Sequence, residues 1–244
     1  MIRIAAVGDV HGRLTELYER VRQVETVCGT IDTVIQVGDL GVFPSEDRAD
    51  AATVRHGGVG EFPVWLSEKR RVPWPTVFVK GNHEDFDFLA SRQDGICLNG
   101  LFWLRNGSTM AIRTRAGDQS VQVGGLGGCW APSKYRVPVR GLNGKARAYY
   151  VAEEVERLAK SRADILVFHD APAGIDFDRY TSQAGGLGEL VDQVRPRVVL
   201  FGHHHKSRTG CLSGIPYFGL NLLGRPGDVA VIEVNGQQIS TTLL

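Results

Sequence analysis

Seven residues of ligand type stand where apolar runs end. The segments AAVGDVHG, IQVGDLG, VFVKGNHE, LVFHDAP and VLFGHHH carry Asp9, His11, Asp39, Asn82, His169, His203 and His205. Histidine usage is concentrated in the same way, since of 7 histidines only His56 lies outside these segments. Asp9 and His11 are two positions apart, as are His203 and His205. In extended backbone that spacing sends both side chains to one side, with His204 pointing the other way. Carboxylate, imidazole and amide donors without thiolate suit a divalent ion of the manganese, iron or zinc kind. The set exceeds the needs of one ion. Two ions roughly 3.5–4 Å apart, bridged by a shared carboxylate, would clamp the attacking and leaving oxygens of a displacement at phosphorus.

Such donors need a scaffold that brings five distant segments together. Short β-branched runs at 2–7, 33–37, 76–79, 121–123, 165–168 and 198–201 read as buried strands. Leu14, Leu17, Val21, Val24 and Val27 recur at helical spacing between the first two runs, and Val151, Val155 and Leu158 do so before the fifth. This alternation predicts α/β architecture with crossover connections, in which ligands gather outside the carboxyl ends of strands. The middle and the tail differ. The segments FWL, TMAIR and SVQVG are separated by Asn106-Gly107 and Gly117-Asp118, and VAVIEV and ISTTL flank Asn235-Gly236, all hairpin-turn signals. Parallel crossovers mixed with hairpins predict a layered sandwich and not a purely parallel doubly wound sheet.

The series GDVHG, GDLG, GNHE, HDAP and GHHH resembles the calcineurin-like metallophosphoesterase superfamily from Asp9 to His205. The resemblance implies two mixed β-sheets packed as a sandwich and flanked by helices, in four layers. It also implies two divalent metals, with manganese favoured over iron, zinc and nickel. Asp9, His11, Asp39 and His205 would hold one, and Asp39, Asn82, His169 and His203 the other. His83 matches the histidine that contacts the phosphate and protonates the leaving oxygen, and Glu84 the acid that orients it. A hydroxide between the metals would attack phosphorus in line. The stretch from GGLGG to Arg147, Tyr149 and Tyr150 is similar to the branch containing the RNA lariat-debranching enzyme, although that enzyme has cysteine where this chain has Asp9. The expected reaction is hydrolysis of a phosphate ester, with phosphodiesters of nucleotides or nucleic acid favoured over monoesters. Two other readings are a non-catalytic protein-binding scaffold of the same fold and a nuclease subunit that needs a partner.

Charge gives no global reason for a nucleic-acid or membrane partner, with 28 Lys+Arg against 27 Asp+Glu and a net charge of +1. The basic residues of 129–150 are a local exception: Lys134, Arg136, Arg140, Lys145 and Arg147 occur there without one acidic residue. A solvated loop is the default reading of this stretch; the functional alternative is a substrate-facing flap, with Lys134, Arg136, Arg140 and Arg147 as candidate phosphate-ester contacts. Gly124 to Gly128 lacks the Lys-Ser/Thr of a P-loop and reads as close-packed backbone beneath the site. Cys28, Cys97, Cys129 and Cys211 lie far apart and read as reduced bystanders. No apolar stretch reaches the roughly twenty residues of a membrane span, and the segment before Asp9 is too short for a signal peptide. The expectation is a cytoplasmic, soluble chain folded as one domain over 1–244, with no protein partner indicated.

Overall fold

In a computed structural model of the chain, which describes residues 1–55, 58–114, 117 and 119–244, two six-stranded sheets lie face to face. His56 and Asp118 fall outside the described residues. The chain runs β1 (Ile2–Val7), α1 (Leu14–Cys28), β2 (Thr33–Gln36), α2 (Ala51–Arg55), α3 (Phe62–Ser67), β3 (Arg71–Phe78), α4 (Phe86–Ser91) and β4 (Ile96–Trp103). It continues through β5 (Ser108–Arg113), β6 (Ser120–Leu126), α5 (Ala152–Ala159), β7 (Ile165–Phe168), α6 (Leu187–Val194), β8 (Val198–Phe201), β9 (Arg208–Leu212), β10 (Ile215–Gly219), β11 (Val229–Asn235) and β12 (Gln238–Leu243). One sheet has the order β12-β11-β1-β2-β3-β4 and the other β5-β6-β7-β8-β10-β9. Parallel pairs form the middle of both sheets, and antiparallel pairs close three of their four ends.

Three apolar clusters separate four layers. Alternation along β1 sends Ile2, Ile4 and Ala6 between the sheets, where they meet Ile35, Val77, Val123, Val167 and Leu200. Ala5 and Val7 face outward against Leu14, Leu17 and Val21 of α1. On the far side Leu158 of α5 and Leu187, Leu190 and Val191 of α6 cover Leu166, Phe168, Val199 and Phe201. Strands of the two central bundles are buried on both faces, and this is why they read as continuous apolar runs.

Val27 departs from the predicted helical face and is 81% exposed, whereas Tyr18 joins the core. Each step of three falls about 60° short of a full turn, so two successive steps carry Val27 off the stripe that Leu14 and Val21 define. Asn106-Gly107 is likewise not a hairpin. β4 pairs in parallel with β3, and the turn carries the chain across to β5 in the other sheet. The Asn106 side chain is spent on that crossing: Oδ1 accepts from Gly127 N at 2.7 Å, and Nδ2 donates to Gly127 O at 2.9 Å and Glu154 Oε2 at 3.0 Å. The tail hairpin forms as expected, with Asn235 opposite Gln238.

Candidate metal centre

Register sets the site. Val7 pairs with Gln36 and Gln36 with Phe78, so β1, β2 and β3 end at one level, and each is followed by a short connector to Asp9, Asp39 or Asn82. In the facing sheet Leu126 pairs with Phe168 and Val167 with Leu200, which brings His169 and the 203–205 turn to the same rim. The seven predicted donors therefore converge where the parallel strands of both sheets end, in accord with the rule for open α/β sheets.

Glycines permit the convergence by removing a side chain where two connectors touch. A Cβ on Gly81 would lie 2.0 Å from Asp39 Oδ1, and one on Gly202 would lie 2.3 Å from Asp9 Oδ1. The backbone itself is strained at the donors. His11, Asp39, His203 and His205 have φ of 49°, 56°, 67° and 50°, four of the eight described non-glycine residues in the left-handed region. Such conformations cost of order 1–3 kcal/mol each and cluster at functional sites.

Two groups of side chains are linked through Asp39. Asp9 Oδ1 accepts from His203 N at 3.0 Å, and Asp9 Oδ2 lies 3.0 Å from His205 Nε2. His11 Nε2 is 3.2 Å from His205 Nε2 and 4.0 Å from Asp39 Oδ2. Across the centre Asp39 Oδ1 accepts from Asn82 N and His83 N, both at 2.7 Å, and lies 3.6 Å from His169 Nε2. Asp39 thus stands between His11 on one side and His169 on the other.

Electrostatics prepare several of these groups for a cation. Burial, outweighing the pull of Asp39 and Asp9, lowers the His11 imidazole to about 4. Burial and neighbouring His169 do the same to His203. Both rings are therefore neutral near pH 7, the form that coordinates metal. Burial works to raise Asp9, but the His205 hydrogen bond and the surrounding imidazoles hold it at about 2. His205 is raised, chiefly by that same hydrogen bond. His169 Nδ1 donates to Val37 O at 3.0 Å, so in the neutral ring the lone pair sits on Nε2 and faces Asn82 Oδ1 at 3.1 Å. Two acceptors aimed into one space are what a cation would join, and the oxygen and nitrogen donor set fits divalent ions. The described side chains fall into three overlapping donor groups: Asp9, His11 and His205; Asp9, Asp39 and His169; and Cys129, His169 and His203.

Around the donors, His204 points away from the centre, although 203–205 is a bend with His203 and His205 in the left-handed region and not the extended backbone from which that was expected. Its Nε2 lies 3.1 Å from Asp170 Oδ1, its Nδ1 2.9 Å from the Tyr180 hydroxyl, and its ring stacks on Phe177. Glu84 is buried, with Leu40 N and Val42 N donating to its two oxygens at 2.9 and 2.6 Å, so these oxygens brace the loop that carries Asp39, a different task from the expected orienting of His83. Burial, with the Asp39 charge beside it, pushes this carboxyl up to about 8. His83 meets the His11 ring edge-on at 5.3 Å and lines a cleft of about 520 Å³ with Asn82, Cys129, His203, Arg55, Lys145 and Tyr149.

Only part of the 129–150 segment reaches that cleft. Lys145 lines it, but Lys134 and Arg136 are not among the lining residues. Arg140 and Arg147 line an adjoining cavity of about 380 Å³ with Arg105, Trp103 and Phe86. Buried Lys80 ties the segment to the end of β3, with Nζ donating to Arg147 O at 2.6 Å. The glycines of GGLGG are close-packed: a Cβ on Gly127 would lie 2.2 Å from Lys80 O. Cys129 corrects the bystander reading. It follows β6, whose end shares the rim with β7, and its Sγ lies 3.0 Å from Asn82 Oδ1. The available signal was the same as for the seven predicted donors, a side chain just beyond an apolar run and its glycines.

Two mixed sheets stacked between helices, with oxygen and nitrogen donors gathered where their parallel strands end, define an α/β sandwich of the metallophosphoesterase type. Residues 2–207 match the calcineurin-like phosphoesterase family, and the chain belongs to it. Among curated relatives it is 27% identical over 230 residues to the lariat debranching enzyme of Entamoeba histolytica, covering 83% of this chain and 63% of that enzyme. The lariat debranching enzyme of Saccharomyces cerevisiae is 26% identical over 236 residues, covering 84% of this chain and 57% of that enzyme. The chain thus spans about three fifths of the length of these relatives. Among solved structures, TT1561 of Thermus thermophilus superposes with a TM-score of 0.61 at 18% identity, covering 99% of this chain and 98% of that one. The GAP50 anchor of the Plasmodium inner membrane complex gives 0.60 at 13%, covering 99% and 84%. These two likenesses are of fold. No helix among the described residues is long and apolar enough to cross a membrane.

Proposed function

We propose that this chain hydrolyses phosphate esters, phosphodiesters of nucleotides or nucleic acid before monoesters, at two divalent cations. Asp9, His11, Asp39 and His205 would hold one cation, and Asp39, Asn82, His169 and His203 the other. The observation that carries the reading is the place of Asp39, one oxygen 3.6 Å from His169 and the other 4.0 Å from His11. A carboxylate so placed can serve both donor groups. When bound, the cations supply Lewis acidity toward the phosphoryl oxygens and a nucleophile from water at neutral pH.

The chain's own residues do the rest. His83 lines the cleft and would hold a proton for the departing oxygen. Glu84 keeps the Asp39 loop fixed through its two backbone hydrogen bonds. Lys145 and Arg55, at the cleft wall, would draw in an anionic ester, while Arg140 and Arg147 in the adjoining cavity would meet its more remote part. The preference for diesters draws support from the debranching relatives. Lariat debranching itself is not proposed, because Asp9 stands where that enzyme has cysteine. The test compares bis(p-nitrophenyl) phosphate with p-nitrophenyl phosphate on metal-stripped protein reconstituted in turn with manganese, nickel, zinc and magnesium. Faster diester turnover with a transition metal is expected. Bound metal with neither ester cleaved would sink the reading of a free-standing enzyme and leave the binding scaffold and the partner-dependent nuclease subunit.

A further inference from the structure

Of the four cysteines, Cys129 is the one placed among donor atoms. Its Sγ lies 3.0 Å from Asn82 Oδ1 and 3.6 Å from each ring nitrogen of His203, and it forms a group with His203 and His169 whose donor atoms all lie within 4.8 Å of one another. The backbone on either side is held: Cys129 N donates to Ala148 O at 2.9 Å, and Tyr150 N donates to Cys129 O at 3.3 Å. Gly128, at φ 88°, turns the chain so that the side chain enters the centre; a Cβ there would lie 2.5 Å from Ala148 O. Cys97, by contrast, is buried with Sγ 3.8 Å from Gly95 O, and Cys211 is exposed on β9.

A buried free cysteine is most often a small hydrophobe, and then its sulfur packs on carbon. Here the polar atoms nearest the sulfur belong to an amide and an imidazole that are themselves candidate ligands. We infer that Cys129 supplies a thiolate ligand to the cation held by Asn82, His169 and His203. The inference rests on the dinuclear reading above and deepens it. Formation of the sulfur–metal bond breaks the S–H bond, and the proton passes to solvent.

The two halves of the centre then differ in chemistry. Asp9, His11 and His205 offer carboxylate and imidazole, while the other group adds a soft sulfur. A thiolate there selects zinc, iron(II) or cobalt(II) over magnesium and lowers the preference for manganese at that half. A mixed pair of metals is the consequence.

The test loads the metal-stripped full chain with cobalt(II). The wild type and Cys211→Ser should develop a sulfur-to-cobalt charge-transfer band in the near ultraviolet. Cys129→Ser and Cys129→Ala should bind cobalt, shown by its visible d–d absorption, and lose that band. Zinc-edge X-ray absorption on the wild type needs no variant to fold, and should show one sulfur scatterer per chain at about 2.3 Å. Cobalt bound without a thiolate band, a band that persists in Cys129→Ala, or a zinc shell of nitrogen and oxygen alone would each overturn the ligand assignment and leave the dinuclear centre standing. Failure of the wild type to retain any cobalt would overturn the dinuclear reading itself.

Discussion

Gly81→Ala tests whether the close approach between connectors is what holds the centre together. The new methyl carbon would lie 2.0 Å from Asp39 Oδ1 and 2.1 Å from Asp39 N, where ordinary contact begins near 3.4 Å, so Asp39 or the 81–83 backbone must give by about 1.4 Å. That displacement separates Asp39 Oδ1 from Asn82 N and His83 N, both at 2.7 Å, and moves the one carboxylate that faces both donor groups. Misplacement by about 1 Å can cost on the order of 10²-fold in rate, so diester turnover should fall by at least about that factor. Because Asp39 serves both groups, metal affinity should weaken at both together. The φ of Gly81 lies outside the left-handed region, so the effect is steric contact and not backbone preference. Gly188→Ala is the control. It stands in α6 with no atom within 4 Å of the new methyl, and should be neutral or stabilising by up to about 1 kcal/mol. The assay pairs steady-state diester hydrolysis with metal content by plasma mass spectrometry. Gly81→Ala protein with full activity and both metals retained would refute the reasoning.

Other substitutions separate the roles. His83→Ala should keep its metal content and lose roughly 10²–10⁴-fold in turnover, the range of general acid–base catalysis; loss of metal would show that His83 is a ligand. Asp39→Asn should weaken both metals in parallel in a binding titration, and loss of only one would place the bridge elsewhere. Asp85 accepts from Asp87 N and Phe88 N at the start of α4 and pairs with Arg48 Nε at 2.6 Å. Asp85→Ala should therefore cost about 0.5–2 kcal/mol in denaturant unfolding. Burial opposes ionisation of Asp85, yet the Arg48 pair and the α4 amide donors hold its carboxyl below the ordinary 3.8. Its contribution is then complete above that ordinary value and fades as pH falls through the depressed one, so the cost of the substitution should shrink in acid.

Much of the sandwich was legible because its central strands are buried on both faces. The runs at 2–7, 165–168 and 198–201 coincide with β1, β7 and β8. Strand β3 starts earlier than its 76–79 run suggested, since Pro73 and Pro75 interrupt the apolar pattern and the pairing with β4 shifts register between Arg71 and Thr76. Asn106-Gly107 carries a hairpin signal but serves a crossing between sheets, a choice made by tertiary pairing that no local pattern encodes. At the site, residue type and strand-end position sufficed to pick out seven side chains that the fold brings to one rim. Cys129 was harder because spacing rules for cysteine look for close pairs, while this sulfur meets its neighbours only through the parallel pairing of β6 with β7. The same holds for the basic segment, whose composition singled out five cations but not that Lys145 alone among them lines the cleft.

The most direct measurement is a titration of metal-stripped protein with cobalt(II), a metal both donor groups accept, that follows bound metal and diester hydrolysis together. Saturation is expected at two equivalents per chain, with activity rising as the second equivalent binds. Saturation at one equivalent with full activity, or hydrolysis that persists in the stripped protein, would contradict it.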